Sequence, residues 1–118
     1  MLGMGREQRL NRVADHIQRE LSDLIRRELR DPRVRFVTLS GVELSPDRSH
    51  ATVFFTCMEA GDVVEASEGL NSAAGFLRSG LAKRITTFTT PDLRFRYDES
   101  VVRGAYLSKL IDQVNSKS

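Results

Sequence analysis

The chain has 118 residues, enough for one domain of ordinary size, and its hydrophobic residues, 40% of the total, can fill a single core. Eighteen Lys and Arg against sixteen Asp and Glu leave a formal charge of only +2, so bulk charge by itself does not announce a nucleic-acid partner. A single cysteine, Cys57, excludes an internal disulfide, and with only His16 and His50 beside it the chain offers no metal-ligand constellation.

Met1 to Arg6 lack an apolar core of signal-peptide length, and no apolar run approaches a membrane span, so a soluble cytoplasmic protein is expected. From residue 6 to about 30, Leu10, Val13, Ala14, Ile17, Leu21, Leu24 and Ile25 recur at the three-and-four spacing of one helical face. Asp31-Pro32 stops this helix, because the proline ring disfavours helical geometry in the residue before it. Phe36 to Leu44 reads as a strand whose alternation changes phase at Gly41, the mark of a bulge. Ser45-Pro46-Asp47-Arg48 reads as a turn, and His50 to Met58 as a second strand paired antiparallel with the first. Cys57, with Phe55 and Met58 nearby, is expected to be buried in apolar surroundings.

Asp62 with Glu65 three residues later has the form of a capping box, followed by a helical stripe of Val63, Ala66, Leu70, Ala73, Leu77, Leu81 and Ile85. Gly69 and Gly75 interrupt that stripe, which predicts two helices, 62–74 and 76–86, joined by a kink at Gly75. After a Thr-rich loop ending at Pro91, Leu93-Arg94-Phe95-Arg96-Tyr97 alternates as a half-buried strand should. A last helix from about 100 carries Val101, Leu107, Leu110, Ile111 and Val114, with Asp98-Glu99 as its cap. The order is α-β-β-α-α-β-α in one α+β domain spanning residues 1–118, with helices on one face of a three-stranded sheet and fraying expected at 1–5 and 115–118.

Charge is unevenly spread along these elements. Residues 1–35 carry +3, residues 41–70 carry −5, residues 76–97 carry +4, and residues 98–118 are neutral. In the third segment Arg78, Lys83 and Arg84 follow the Gly75 junction without an accompanying acid, and a helix starting there directs free backbone N–H groups outward. A phosphate seat is one reading of Ala73 and Gly75, and close helix packing through small residues is the other. Arg94 and Arg96 alternate away from Leu93, Phe95 and Tyr97, adding charge to one face or edge of the sheet. On the first helix Arg12, Arg19, Arg26 and Arg30 form a stripe opposite the apolar one. That stripe reads either as a phosphate rail or as a solvated face paired with Asp15 and Asp23. No phosphate loop, dinucleotide fingerprint, HExxH or nucleophile elbow is present, and nothing assembles an acid–base pair, so no catalytic residue and no enzyme activity are expected.

Nearly end to end, the sequence resembles bacterial ribosome-binding factor A. The resemblance rests on Arg12-Val13-Ala14 through Leu29, on Arg30-Asp31-Pro32-Arg33 and on Val42-Glu43-Leu44-Ser45-Pro46-Asp47. It continues through Ala73-Ala74-Gly75-Phe76-Leu77-Arg78 and Pro91-Asp92-Leu93-Arg94-Phe95-Arg96-Tyr97-Asp98-Glu99-Ser100. It implies a KH domain of the second type. The G-x-x-G loop with which ordinary KH domains clamp RNA is absent, and Ala73-Ala74-Gly75 stands in its place. The family implies docking on the small (30S) ribosomal subunit late in assembly, processing of the 16S rRNA precursor near its 5′ end, and importance for growth in the cold. Ala73, Gly75, Arg78, Lys83, Arg84, Arg94 and Arg96 are the expected RNA contacts, with Arg12, Arg19, Arg26 and Arg30 secondary. The competing expectation is a protein-interaction module whose acidic segment, residues 41–70, meets a ribosomal protein or an assembly GTPase. In either case a monomer without cofactor or metal is expected.

Overall fold

The computed structural model describes the backbone of residues 2–58, 62–86 and 89–100, with side chains from residue 9 onward. The elements are α1 (Leu2–Arg27), a 3-10 turn (Pro32–Val34), β1 (Val37–Leu44), β2 (His50–Cys57), α2 (Val63–Ser72), α3 (Ala74–Arg84) and β3 (Asp92–Tyr97). The helix expected after residue 100 lies outside the described residues. The sheet runs β1-β2-β3, with β2 central, antiparallel to β1 and parallel to β3. A parallel neighbour needs a long crossover, and α2 with α3 supplies it.

The apolar stripe of α1 packs as its spacing predicts: Ile17 and Leu21 are fully buried, with Ala14, Leu24 and Ile25 beside them. The helix begins at Leu2, four residues before the start expected at residue 6. It ends earlier as well. The amides of Glu28 and Leu29 both donate to the Leu24 carbonyl, at 2.8 and 3.2 Å, which turns Leu29 onto the core. Asp31 then has extended backbone and its carboxylate accepts from the Arg33 amide at 2.9 Å, capping the short turn that Pro32 opens.

In β1 the register slips between Leu39 and Gly41, leaving Ser40 unpaired. The slip returns Val42 and Leu44 to the same face as Val37 and Leu39, so the bulge corrects the phase of the strand. β2 buries Ala51, Val53 and Phe55, and β3 buries Leu93 and Phe95 against the helices. Phe55 and Tyr97 meet edge to face, with centroids 5.9 Å apart. The β1–β2 turn is held by Asp47, whose carboxylate accepts from Ser45 Oγ, the Ser49 amide and Ser49 Oγ. Arg48 takes positive φ at 62°, the left-handed position of that turn.

Three local expectations are corrected. Asp62 makes no capping hydrogen bond, so the Asp62/Glu65 pair does not close a capping box, although α2 starts beside it. The break between the two helices falls at Ala73, not Gly75. Ala73 donates its amide to the carbonyls of Gly69 and Leu70, both at 3.1 Å, and accepts at its own carbonyl from Leu77 at 2.8 Å, so it closes α2 and opens α3. Cys57 is half-buried, and Met58, one residue past the end of β2, is 78% exposed.

Candidate nucleic-acid interface

Between Glu68 and Asp92 the chain contains no acidic residue. The fold wraps this stretch around one edge of the sheet. α3 turns Leu77 and Leu81 into the core and leaves Gly75, Arg78 and Lys83 outside. β3 is an edge strand whose alternation buries Leu93 and Phe95 and points Arg94 and Arg96 to the face that α1–α3 leave uncovered. Arg78 ties the two elements together: its Nε lies 3.3 Å from Asp92 Oδ1 and its Nη2 donates to the Thr90 carbonyl at 3.4 Å. The guanidiniums of Arg78, Arg94 and Arg96 therefore share the edge formed by β3. Lys83, Arg94 and Arg96 make no ion pair with any described residue.

The two small residues of the junction separate in role. Ala73 is half-buried and packs on the core. A Cβ built on Gly75 would meet nothing within 4 Å, and its φ is not positive. Close helix packing is thus no reason for a glycine at 75, and the backbone of the first turn of α3 is open to approach from outside. Close packing instead uses Gly69, where a Cβ would come 2.9 Å from Val34 Cγ1, and Gly80, where it would come 2.9 Å from Leu24 Cδ2.

Arg84 lies apart from this edge. Its Nη1 contacts Asp23 Oδ2 at 2.7 Å and Glu20 Oε2 at 3.1 Å, and Nη2 is 3.9 Å from Glu28 Oε1. Hydrogen bonds from Arg84 and Arg26 hold the Asp23 carboxyl below its ordinary range, and the same pairing raises Arg84. Arg84 locks the end of α3 to α1, and its charge is neutralised by acids one helix away. The available signal was Glu20 and Asp23, three apart on α1; which helix would face them is a tertiary fact.

On the face of the sheet opposite α1–α3, Phe54 pairs with Gly41 on one side and Arg96 on the other. An aromatic ring beside a guanidinium offers a base a stacking surface.

The α1 stripe is divided. Arg26 pairs with Asp23 at 3.0 Å, as does Arg27 at 2.8 Å, whereas Arg12, Arg19 and Arg30 are exposed and form no ion pair among the described residues. A shallow groove follows the stripe past Arg12, Arg19 and Arg26. Beyond it, a cleft of about 560 Å³ opens between the end of α1, the 3-10 turn and β1. Arg35, which no sequence pattern singles out, lines this cleft.

In the acidic stretch, Asp62, Glu65 and Glu68 are exposed around α2, next to the 67% exposed Val64. No described helix is long and apolar enough to cross a membrane.

Comparison with known proteins gives a consistent result. A family model described as ribosome-binding factor A matches residues 9–111. A ribosome-binding factor A from Dechloromonas aromatica (strain RCB) is 53% identical over 111 residues, covering 94% of this chain and 90% of that protein. The crystal structure of ribosome-binding factor A from Thermus thermophilus superposes with a TM-score of 0.68 at 27% identity, over 77% of this chain and 97% of that one. A homology model of the Thermus thermophilus factor, as fitted into a cryo-electron-microscopy map of a complex of the factor with 30S, matches with a TM-score of 0.61 at 27% identity, over 76% of this chain and 96% of that one.

Proposed function

The chain belongs to the ribosome-binding factor A family, and from that premise we propose that it is a non-enzymatic assembly factor that binds the immature small ribosomal subunit. The Thermus thermophilus relative fitted into a 30S complex supports this reading. The contact is made by a KH-like domain of the second type, with its α2–α3 junction in place of the usual clamp. Bound there, the protein promotes late maturation and processing of the 16S rRNA precursor near the 5′ end. It acts by population shift: it binds an immature conformer of the rRNA more tightly than the finished subunit, which draws folding along one route and permits release on completion.

One observation carries the site assignment. The stretch brings Arg78, held there by Asp92, to the edge strand that bears Arg94 and Arg96, with the open Gly75 and with Lys83, in no ion pair among the described residues, on the adjoining helix. Phosphates of a folded RNA are the natural counter-charge for such an edge.

The test is binding to immature small subunits across a range of salt, with Arg78, Lys83, Arg94 and Arg96 replaced together by alanine. Weaker binding is expected, with the slope of log affinity against log salt shallower by about 0.7 to 0.9 for each phosphate no longer neutralised. An unchanged slope would overturn the assignment. Arg84 is kept in this variant because of its ion pairs with α1.

A second reading has its own observation. Exposed Val64 lies on α2 with Glu65 and Glu68 and just after Asp62, a surface suited to a basic, partly apolar protein segment such as part of a ribosomal protein or an assembly GTPase. Retention of subunit binding by the four-residue variant, together with its abolition on replacing Glu65 and Glu68 by lysine, would favour it.

A further inference from the structure

The cleft at the end of α1 is built differently from the β3 edge. Its floor is apolar, formed by Ile25, Leu29 and Val37, where the chain leaves α1 and re-enters the sheet. Its rim carries Arg26, Arg30 and Arg35. The acid that lines it, Asp31, is already engaged: Arg33 Nε lies 3.1 Å from each of its carboxylate oxygens and Arg33 Nη2 lies 2.7 Å from one of them. Those bonds hold the Asp31 carboxyl below its ordinary range, so it stays ionised and committed to Arg33. Arg30 and Arg35 form no ion pair among the described residues. Arg35 instead lies over the Phe36 ring, 5.6 Å from its centroid.

Ser22 and Arg26 belong both to this cleft and to the groove along α1 that passes Arg12 and Arg19. The row Arg12, Arg19, Arg26 advances seven residues at a time, about 10 Å of helix per step, and leads into the cleft. A pocket of about 560 Å³ is within the range that holds a small planar ligand. Apolar depth with Arg30 and Arg35 at the rim, reached past the exposed Arg12 and Arg19, matches a polyanion that can turn one flat apolar group inward.

We propose that this cleft is a second RNA site, in which an unpaired nucleotide of single-stranded rRNA inserts its base against Leu29 and Val37 while its flanking phosphates meet Arg30 and Arg35. The proposal deepens the RNA-binding reading but uses a surface distinct from Arg78, Arg94 and Arg96, so either can fail without the other. Charge decides for RNA over an acidic peptide. The approach along α1 carries Arg12 and Arg19, exposed and in no ion pair among the described residues, beside Asp15 and an Asp23 already engaged by Arg26, and the cleft with Arg30 and Arg35 supplies depth for one ring at its end.

The probes are a uridine octamer and an octamer of the same length with abasic residues, titrated against the full chain at low salt. The wild type is expected to bind the uridine octamer about tenfold more tightly. Ser22→Trp, placed on an exposed helix position at the mouth, should abolish that preference, whereas Ser22→Ala should keep it. Arg30→Ala with Arg35→Ala should weaken both octamers and flatten their salt dependence. Shifts of the Leu29 and Val37 methyl resonances on adding the uridine octamer give a second readout that needs no variant. Equal binding of the two octamers, a preference that survives Ser22→Trp, or still methyl resonances would each overturn the proposal. So would an acidic leucine-containing octapeptide that occupies the cleft in place of the oligonucleotide, which would assign it to a protein partner.

Discussion

Arg84 and Lys83 are adjacent, similarly charged and on the same helix, yet the structure gives them different work. Arg84 is surrounded by Glu20, Asp23 and Glu28 of α1, and Lys83 faces solvent. Replacing Arg84 by alanine removes the cation that Glu20 and Glu28 share and leaves Asp23 with only the exposed Arg26 and Arg27. We expect a lower thermal midpoint for Arg84→Ala, whereas Lys83→Ala leaves the midpoint nearly unchanged and weakens subunit binding; calorimetry alongside a binding titration separates the two. The glycines divide in the same way. Gly75→Ala should raise stability by up to about 1 kcal/mol, because the helix gains a better former and the new methyl meets nothing. Gly69→Ala should cost about 1–3 kcal/mol, since its methyl would press on Val34 Cγ1 and Arg33 Cβ at the 3-10 turn. Equal midpoints for the two variants in chemical denaturation would refute these roles. From sequence alone both glycines look like helix breakers, because space around a Cβ depends on what packs across from it.

Among the elements, β2 carries the fold and β3 carries the candidate interface. β2 is hydrogen-bonded on both sides and places the fully buried Phe55 at the centre of the core. Phe55→Ala should cost about 3–5 kcal/mol, read as a fall in the denaturation midpoint. Phe54, next to it, faces the other way. Phe54→Ala should cost far less, and a comparable fall would show that the uncovered face is not what the register implies. The strands were legible because alternation has a period of two and each strand has one buried face. Even the Gly41 bulge could be read, since a phase change in an alternating pattern has few other causes. The helix junction and the cap were less legible. Whether Asp62 closes a box or Ala73 forms the pivot depends on where α2 must lie to pack against the 3-10 turn and β3, and composition does not specify that.

At the scale of the molecule, the small net charge hides opposite local fields. Asp62, Glu65 and Glu68 line one exposed stretch, while the edge around β3 and the end of α1 are basic. Such a distribution orients an approaching polyanion and turns it away from the acidic side. Several carboxylates are also tuned by their partners. Hydrogen bonds from Ser45 and Ser49 lower Asp47 from its ordinary 3.8 to about 2. Hydrogen bonds from Ser100 and Ser40 lower Asp98, and those from Arg84 lower Asp23. Each of these groups binds its proton less readily folded than unfolded. Their stabilisation is therefore complete above the ordinary carboxylate pKa and is lost as pH falls through the folded values, down to about 2 for Asp47. Urea midpoints should be flat from neutrality to about pH 5 and fall steadily below about 4. Asp47→Asn should lower the plateau and make the acid fall shallower. A midpoint that rises on acidification would contradict this assignment.

The sequence by itself determined the α+β class, the antiparallel strand pair, the face each strand buries, and the presence of two basic segments around an acidic one. Periodicity and turn chemistry are local, and one buried face per element is enough to make them readable. Beyond the local pairing of Arg26 and Arg27 with Asp23, packing settled which charges are free. It committed Arg84 to α1, brought Arg78 to the strand bearing Arg94 and Arg96, left Gly75 open, and formed a cleft in which Arg30 joins Arg35. The reason is physical: a charge is available to a partner only to the extent that no opposite charge packs against it; Asp23 and Asp31 engage Arg26, Arg27 and Arg33 locally, whereas the acids that meet Arg78 and Arg84 come from residues distant in sequence.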